Sequence, residues 1–259
     1  MGESIKDQVQ KQFGKNAAKY VTSSRHAKGE DLAFLVSSSQ ANKEMEVLDV
    51  ATGGGHVANA LAPLVRHVIA YDLTEQMLEK AAEFIHGNGH SNVDFVQGDA
   101  ELLPFADASF DLVACRIAAH HFPNVPVFAS EAFRVIKPGG KLLLIDNVAP
   151  ENEAFDEFYN QVEKQRDPSH VRAWKKSEWI NLLENSGFRL DIMVRFPKPF
   201  KFQDWCERSD LPEAEQALLE TKMLQTPKEM KDFFFIQTDE SGRLTSFSGE
   251  SVYIQAVRS

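Results

Sequence analysis

Asp49-Val50-Ala51-Thr52-Gly53-Gly54-Gly55 closes a short apolar run and opens a helical stretch. Glycines there let the backbone turn sharply and approach a ligand, and the N-terminus of the following helix favours an anionic group. Gly53, Gly55 and Ala58 fit the dinucleotide pattern G-x-G-x-x-G/A, and Asp72 follows Gly53 by nineteen residues, where ribose hydroxyls are held. The competing reading is a tight strand-to-helix turn that holds no ligand. The sign of the nearby charges discriminates further. Asp49 precedes the turn, and Asp72 and Asp99 end the next two strands, so three carboxylates should line one edge. That edge repels a pyrophosphate. It suits a cation carrying an ammonium, two ribose hydroxyls and an adenine amine. S-adenosylmethionine has all of these and a sulfonium charge. Each Asp alone reads as a helix cap or a solvated turn; three in register do not.

Proton-transfer candidates are His120 and His121, just after the fourth strand, and His170 in Arg166-Asp167-Pro168-Ser169-His170-Val171-Arg172. A neutral imidazole takes a proton near neutral pH. The bland alternative for each is packing against a cofactor or bonding a carbonyl. Asp167, His170 and Arg172 read either as a polar cluster over the reacting atom or as a loop ion pair. Tyr20 and Phe13 are lid candidates, with core packing the alternative for Phe13.

These residues need a scaffold. Short apolar runs at 47–50, 67–71, 93–96, 111–115, 141–146, 189–196 and 252–257 alternate with helical stretches. Such alternation means right-handed βαβ units and a parallel sheet buried on both faces, with ligands at the carboxyl strand ends. The expected fold is therefore a doubly wound α/β sheet of seven strands. The last strand lies too near the end for another crossover and should insert antiparallel. Residues 1–43 read as an N-terminal helical cover, 44–200 with 250–259 as the core, and 201–249 as a substrate-cover insertion. Thr226-Pro227-Lys228-Glu229 in the insertion reads as a capping box.

The 259 residues are 43% hydrophobic, enough for a sizeable core. Their 28 Lys and Arg against 38 Asp and Glu leave a charge of -10, which argues against nucleic acid and against anionic lipid as partners. Cys115 and Cys206 are too few for a disulfide framework and lack metal-ligand spacing, so no metal is expected. The polar start and the lack of a membrane-length apolar run suggest a cytoplasmic protein with no membrane insertion. A homodimer is left open.

Five segments occur together and in order: 47–55, 72–78 (Asp72-Leu73-Thr74-Glu75-Gln76-Met77-Leu78), 98–105 (Gly98-Asp99-Ala100-Glu101-Leu102-Leu103-Pro104-Phe105), 110–113 and 134–140 (Arg134-Val135-Ile136-Lys137-Pro138-Gly139-Gly140). In this the chain resembles class I S-adenosylmethionine-dependent methyltransferases, most closely the small-molecule group that includes ubiquinone/menaquinone-biosynthesis C-methyltransferases. The resemblance covers roughly residues 5 to 200 and the last strand, and implies a Rossmann-like core. It implies that Asp49 acts through the loop on the methionyl ammonium, with Ala51, Gly53 and Gly55 in the cofactor loop. Asp72 would take the ribose hydroxyls, and Leu73 and Met77 would pack near adenine and ribose. Asp99 would face the adenine amine, with Ala100 giving a backbone contact. Arg116 and the residues after it, to His121, would pass under the sulfonium. Ala51 departs from the family, which usually has its first glycine there; Ala is small, and binding should survive.

Enzymes of the family that methylate nucleic-acid bases or glutamine usually carry Asn/Asp-Pro-Pro-Tyr after the fourth strand. Here that place holds Cys115-Arg116-Ile117-Ala118, so the resemblance implies a small-molecule methyl acceptor. Phe155, Phe158, Tyr159, Trp174, Trp205 and Phe233 to Phe235 suggest a fairly apolar one, with core packing the alternative for most of them. The expected activity is transfer of a methyl group to carbon, oxygen or nitrogen by in-line displacement. The rivals are an NAD(P)-dependent oxidoreductase and a non-catalytic S-adenosylmethionine-binding module.

Overall fold

The computed structural model describes residues 4–22 and 29–259, and side chains for 4–14 and 29–259. The Tyr20 side chain, named above as a lid candidate, and residues 23–28 lie outside the described residues.

Strands β1 (Glu46–Val50), β2 (His67–Asp72), β3 (Val93–Gln97), β4 (Phe110–Arg116) and β5 (Ile136–Ala149) pair in parallel. A two-residue β6 (Trp174–Lys175) pairs with the end of β5. The long strands β7 (Phe188–Lys201) and β9 (Leu244–Arg258) complete the sheet in the order β3-β2-β1-β4-β5-β9-β7, with β9 antiparallel to both neighbours. A second two-residue strand, β8 (Gln237–Thr238), pairs with β9. The seven expected strands are all present, and the last inserts antiparallel. The two extra pieces are too short to show any period in the sequence.

The helices are α1 (Ile5–Thr22), α2 (Glu30–Ser39), α3 (His56–Leu61), α4 (Glu75–Gly87), α5 (Val125–Val135), α6 (Glu153–Arg166), α7 (Lys176–Asn185), α8 (Phe202–Glu207), α9 (Glu213–Leu224) and α10 (Lys228–Phe233). Alternate strand residues separate the two faces. Leu48, Val50, Val113, Leu144 and Ile254 pack with Phe128, Ala132 and Trp179 of α5 and α7. Val47, Val68, Leu112, Leu143 and Tyr253 pack with Leu61 of α3, Ile85 of α4 and Leu32 and Leu35 of α2. Burial on both faces is why these strands read as continuous apolar runs. Of the two N-terminal helices, α2 thus belongs to a helix layer of the core.

β5 leaves β9 at the Asn147–Ser251 pair, whereas β7 stays with β9 as far as Lys201–Ser246. This outer ribbon carries α8, α9 and α10 on a third core that includes Phe158, Tyr159, Trp205, Leu219 and Phe247. The return strand was expected over 252–257 and begins at Leu244; β7 was expected to end at 196 and continues to Lys201. Pro197, Lys198 and Pro199 hide that extension, yet Pro is tolerated because β7 is an edge strand. The expected capping box is absent: Pro227 itself takes the cap position of α10, with no side-chain bond.

Candidate active site

A cavity of about 450 Å³ opens over the carboxyl ends of β1, β2, β4 and β5, between α1 and the outer ribbon. Ten of the eleven residues expected to hold the cofactor border it: Asp49, Ala51 and Gly53 after β1; Asp72, Leu73 and Met77 around the β2 end; Asp99 and Ala100 after β3; and Arg116 and His121 after β4. Gly55 does not. It caps α3 with φ +79°, and a Cβ there would meet Ile85 Cδ1 at 2.9 Å and Ala81 Cβ at 3.0 Å, so its role is close packing of α3 on α4.

The three carboxylates do not share one environment. Asp49 is buried and turned into its own loop, accepting from Thr52 Oγ1 at 2.6 Å and from the Ala58 N–H at 3.1 Å. Burial pushes its carboxyl up to about 7, against the pull of those two bonds. Of the three carboxylates expected along one edge, Asp49 is therefore turned into its own loop, although it borders the cavity. Asp72 is buried at the end of β2, where Oδ2 accepts the Gly53 N–H and Oδ1 the Thr74 N–H, each at 2.9 Å. It therefore ties the β1 loop to the head of α4 and leaves further lone pairs on both oxygens. Burial raises its pKa, and the backbone N–H bonds oppose the rise. Asp99 is half exposed and meets Lys6 of α1, Nζ to Oδ2 at 2.5 Å; Lys6 also reaches Glu101 at 2.7 Å. The third carboxylate is thus occupied by the protein's own cation.

Arg116, at the end of β4, forms a two-pronged pair with Asp31 of α2, Nε to Oδ2 at 2.8 Å and Nη2 to Oδ1 at 3.1 Å. Its charge is used to join α2 to the strand end. The next residue, Ile117, has φ +56°, a strained conformation for a β-branched side chain, and borders the cavity.

The histidines separate cleanly. His120 is buried, borders the cavity and approaches Asp146, which ends the ordered core of β5: Nδ1 to Oδ1 is 2.5 Å, and Asp146 Oδ2 accepts the His120 N–H at 2.8 Å. Because a carboxylate accepts, Nδ1 donates and Nε2 keeps the lone pair. Burial holds the imidazole well below the ordinary histidine range, and burial raises Asp146 to about 6. His121 also borders the cavity; its Nδ1 lies 3.1 Å from the Ser169 carbonyl, and the edge of Phe13 meets its ring at 5.0 Å. Phe13 therefore faces the cavity as well as packing. His170 does not border it. It is buried behind His120, bonded through Nε2 to Asn160 Oδ1 at 3.0 Å, and burial lowers it to about 3. Of the two readings of Asp167, His170 and Arg172, the polar cluster does not form: Arg172 is held in ion pairs with Asp156 and Glu178. Only Asp167 of the three borders the cavity.

The cover half of the cavity is more polar than the aromatic-rich sequence suggested. Phe158, Tyr159 and Phe234 belong to the third core, whereas Glu163, Arg166, Asp167, Lys198 and Arg208 border the cavity beside Phe200 and Trp205. Arg166 pairs with Glu163 at 2.9 Å and lies over the Trp205 ring at 5.1 Å. Lys6, Asp146 and Lys198 went unread as site residues because their partners are distant in sequence; Arg166, paired with Glu163 three residues away, read only as part of the 166–172 segment. Asp146 alone had a legible signal, being an acid at a strand end like Asp72.

The arrangement offers a buried carboxylate for a diol, a close-approach loop and an imidazole–carboxylate pair at one open-mouthed cavity. The model of the methyltransferase domain family matches residues 48–144. The uncharacterized methyltransferase YcgJ of Bacillus subtilis is 37% identical over 246 residues, which are 95% of this chain and 97% of that one. A candidate methyltransferase from Bacillus halodurans, solved by crystallography, superposes with a TM-score of 0.87 at 53% identity over 89% of this chain and 99% of its own. The ubiquinone/menaquinone biosynthesis C-methyltransferase UbiE of Pseudoalteromonas translucida is 34% identical over 129 residues, 48% of this chain and 51% of that protein.

Proposed function

Because the chain belongs to the methyltransferase domain family, we propose that it transfers a methyl group from S-adenosylmethionine to carbon, oxygen or nitrogen of a small molecule. The observation that carries this reading is Asp72: a buried carboxylate on the cavity wall with both oxygens already anchored to backbone N–H groups. Anchored this way, it offers two pre-set acceptors to a ribose diol. Family membership sets aside the nicotinamide oxidoreductase.

When bound, the cofactor supplies a methyl group already activated by its sulfonium. The rest falls to the chain's own residues. Gly53, with φ +55° and no Cβ, lets the β1 loop approach the ligand. Leu73 and Met77 give an apolar wall beside Asp72. Asp49 answers a nearby ammonium through the loop it braces. Asp99 and Ala100 would hold the adenine edge, with Lys6 giving up or sharing the Asp99 carboxylate. Transfer then needs alignment and dryness more than a specific catalyst. For an acceptor that must lose a proton, His120 is the first candidate to take it: Asp146 holds Nδ1 as a donor, and Nε2 is left to accept. The Asp146 carboxylate supports the imidazolium that forms, against burial that weakens the imidazole as a base. His121, braced on the Ser169 carbonyl, lines the same wall and is the second candidate. The charge of -10 supports a small acceptor over nucleic acid.

The test is calorimetry with S-adenosylhomocysteine and NAD, followed by labelled-methyl transfer to fractions of a metabolite extract. The reading predicts homocysteine-analogue binding and a labelled product. Binding without any product would mean a cofactor-sensing module; NAD binding alone would overturn the reading.

A further inference from the structure

Lys198 sits on the outer half of β7, past the point where β5 leaves the sheet, and borders the acceptor side of the cavity. Its Nζ donates to Asn147 Oδ1 and lies 5.8 Å from the centre of the Phe200 ring. No described carboxylate lies within ion-pair distance of it, whereas Arg116 pairs with Asp31 and Arg166 with Glu163. An ammonium has three donors, and Asn147 takes one. A partly buried ammonium with one hydrogen-bond partner gains most from a ligand that completes it.

We propose that the methyl acceptor is an organic carboxylate, and that its anionic group docks on Lys198. The proposal rests on the methyltransferase reading above and specifies its substrate class. Glu163 on α6, Asp146 on β5 and Asp31 on α2 favour the charged amine, and Arg208 disfavours it; burial still brings Lys198 down to about 8. The amine is therefore mostly charged at neutral pH, ready for a single negative charge. A phosphate dianion would place a second negative charge beside Glu163, Asp146 and Asp167, which the cavity does not balance. Lys198 shares Asn147 with the strand end next to Asp146, so a carboxylate held there leaves the rest of the acceptor alongside His120. Phe200, Trp205 and Pro199 give that remainder an apolar wall.

The test splits a metabolite extract on an anion-exchange resin and incubates both fractions with the full-length protein and labelled S-adenosylmethionine. Label should enter a compound from the retained fraction, and that compound should carry a carboxylate. Lys198→Met should lower kcat/KM for it by roughly 10- to 100-fold, as expected for one lost charge-assisted bond. Lys198→Arg should recover part of the loss. S-adenosylhomocysteine affinity should change less than about threefold in both variants, by the same accounting. A labelled compound from the unretained fraction alone, or a retained compound whose only anion is a phosphate, overturns the proposal and leaves methyl transfer intact. An equal loss of S-adenosylhomocysteine affinity in Lys198→Met also overturns it, since Lys198 would then hold the cofactor's own carboxylate. Absence of label in every fraction would instead sink the methyltransferase reading itself.

Discussion

Replacing Asp72 by Ala separates a binding carboxylate from a merely structural one. Both oxygens accept backbone N–H groups at 2.9 Å, from Gly53 and from Thr74, and a ribose would add a hydroxyl to each. A hydrogen bond to a charged group is worth about 1.5–3 kcal/mol. Loss of one such bond at the lower value weakens binding roughly tenfold, and loss of both about 100-fold or more. Folding is affected by opposing contributions. Two loop N–H groups lose their acceptor, at about 1–3 kcal/mol each if left dry. Against that, removal of a carboxylate whose burial has raised its pKa relieves desolvation. The variant should therefore remain folded with a modest drop in Tm while S-adenosylhomocysteine affinity falls at least tenfold. Asp72→Asn should sit between the two, because its amide NH2 must face either the Gly53 or the Thr74 N–H. Titration calorimetry alongside a melting curve reads both quantities. Unchanged affinity in a folded Asp72→Ala protein would refute the ribose assignment and the reasoning behind it.

Three further outcomes follow from the same geometry. Asp49, raised to about 7 by burial, is about half protonated at pH 7; a cationic ligand near its loop favours the ionised form, so S-adenosylmethionine binding should release up to about half a proton. Calorimetry at pH 7 in phosphate and in Tris measures this, and proton uptake would contradict it. Lys6→Ala frees Asp99 and Glu101 and should raise cofactor affinity severalfold, with a stability change under about 1 kcal/mol because the pair is partly solvated; weaker cofactor binding would show that Lys6 assists it. His170 has a folded pKa near 3, far below that of the unfolded chain, so the unfolded chain binds the proton first. Its contribution is complete above about pH 6.5 and is lost as pH falls towards 3, at up to about 1.4 kcal/mol per pH unit. Urea unfolding of wild type and His170→Gln at pH 7 and pH 5 should show the stability gap narrowing on acidification, and a constant gap would argue against a neutral buried His170.

The sheet was legible because its central strands are buried on both faces, and an acid at or near the carboxyl end, Asp49 in β1 and Asp72 closing β2, marks the ligand-facing edge. The outer ribbon was not, since Pro197, Lys198, Ser246, Ser248 and Gly249 follow no two-residue apolar period. Within the site, the loop and strand-end residues follow from backbone topology, and so their approximate positions could be read directly. Side-chain pairing could not. Lys6 meets Asp99 across 93 residues and Lys198 meets Asn147 across 51, and nothing local to either lysine signals its partner. The histidines show the same division: their positions after β4 were visible, but only the folded chain distinguishes His120, held by Asp146, from His170, held by Asn160. Aromatic content left two readings, an apolar acceptor or core packing, and the fold decides between them: Phe158, Tyr159 and Phe234 build the core of the cover and leave charged residues to line the cavity beside Phe200 and Trp205.

A crystal structure of the full chain with S-adenosylhomocysteine tests the central claim most directly. The account predicts both ribose hydroxyls on the Asp72 carboxylate, the adenine edge at Asp99 and Ala100 with Lys6 displaced or shared, and the sulfur facing the His120–His121 wall. A nucleoside bound elsewhere, or a ribose turned away from Asp72, would contradict it.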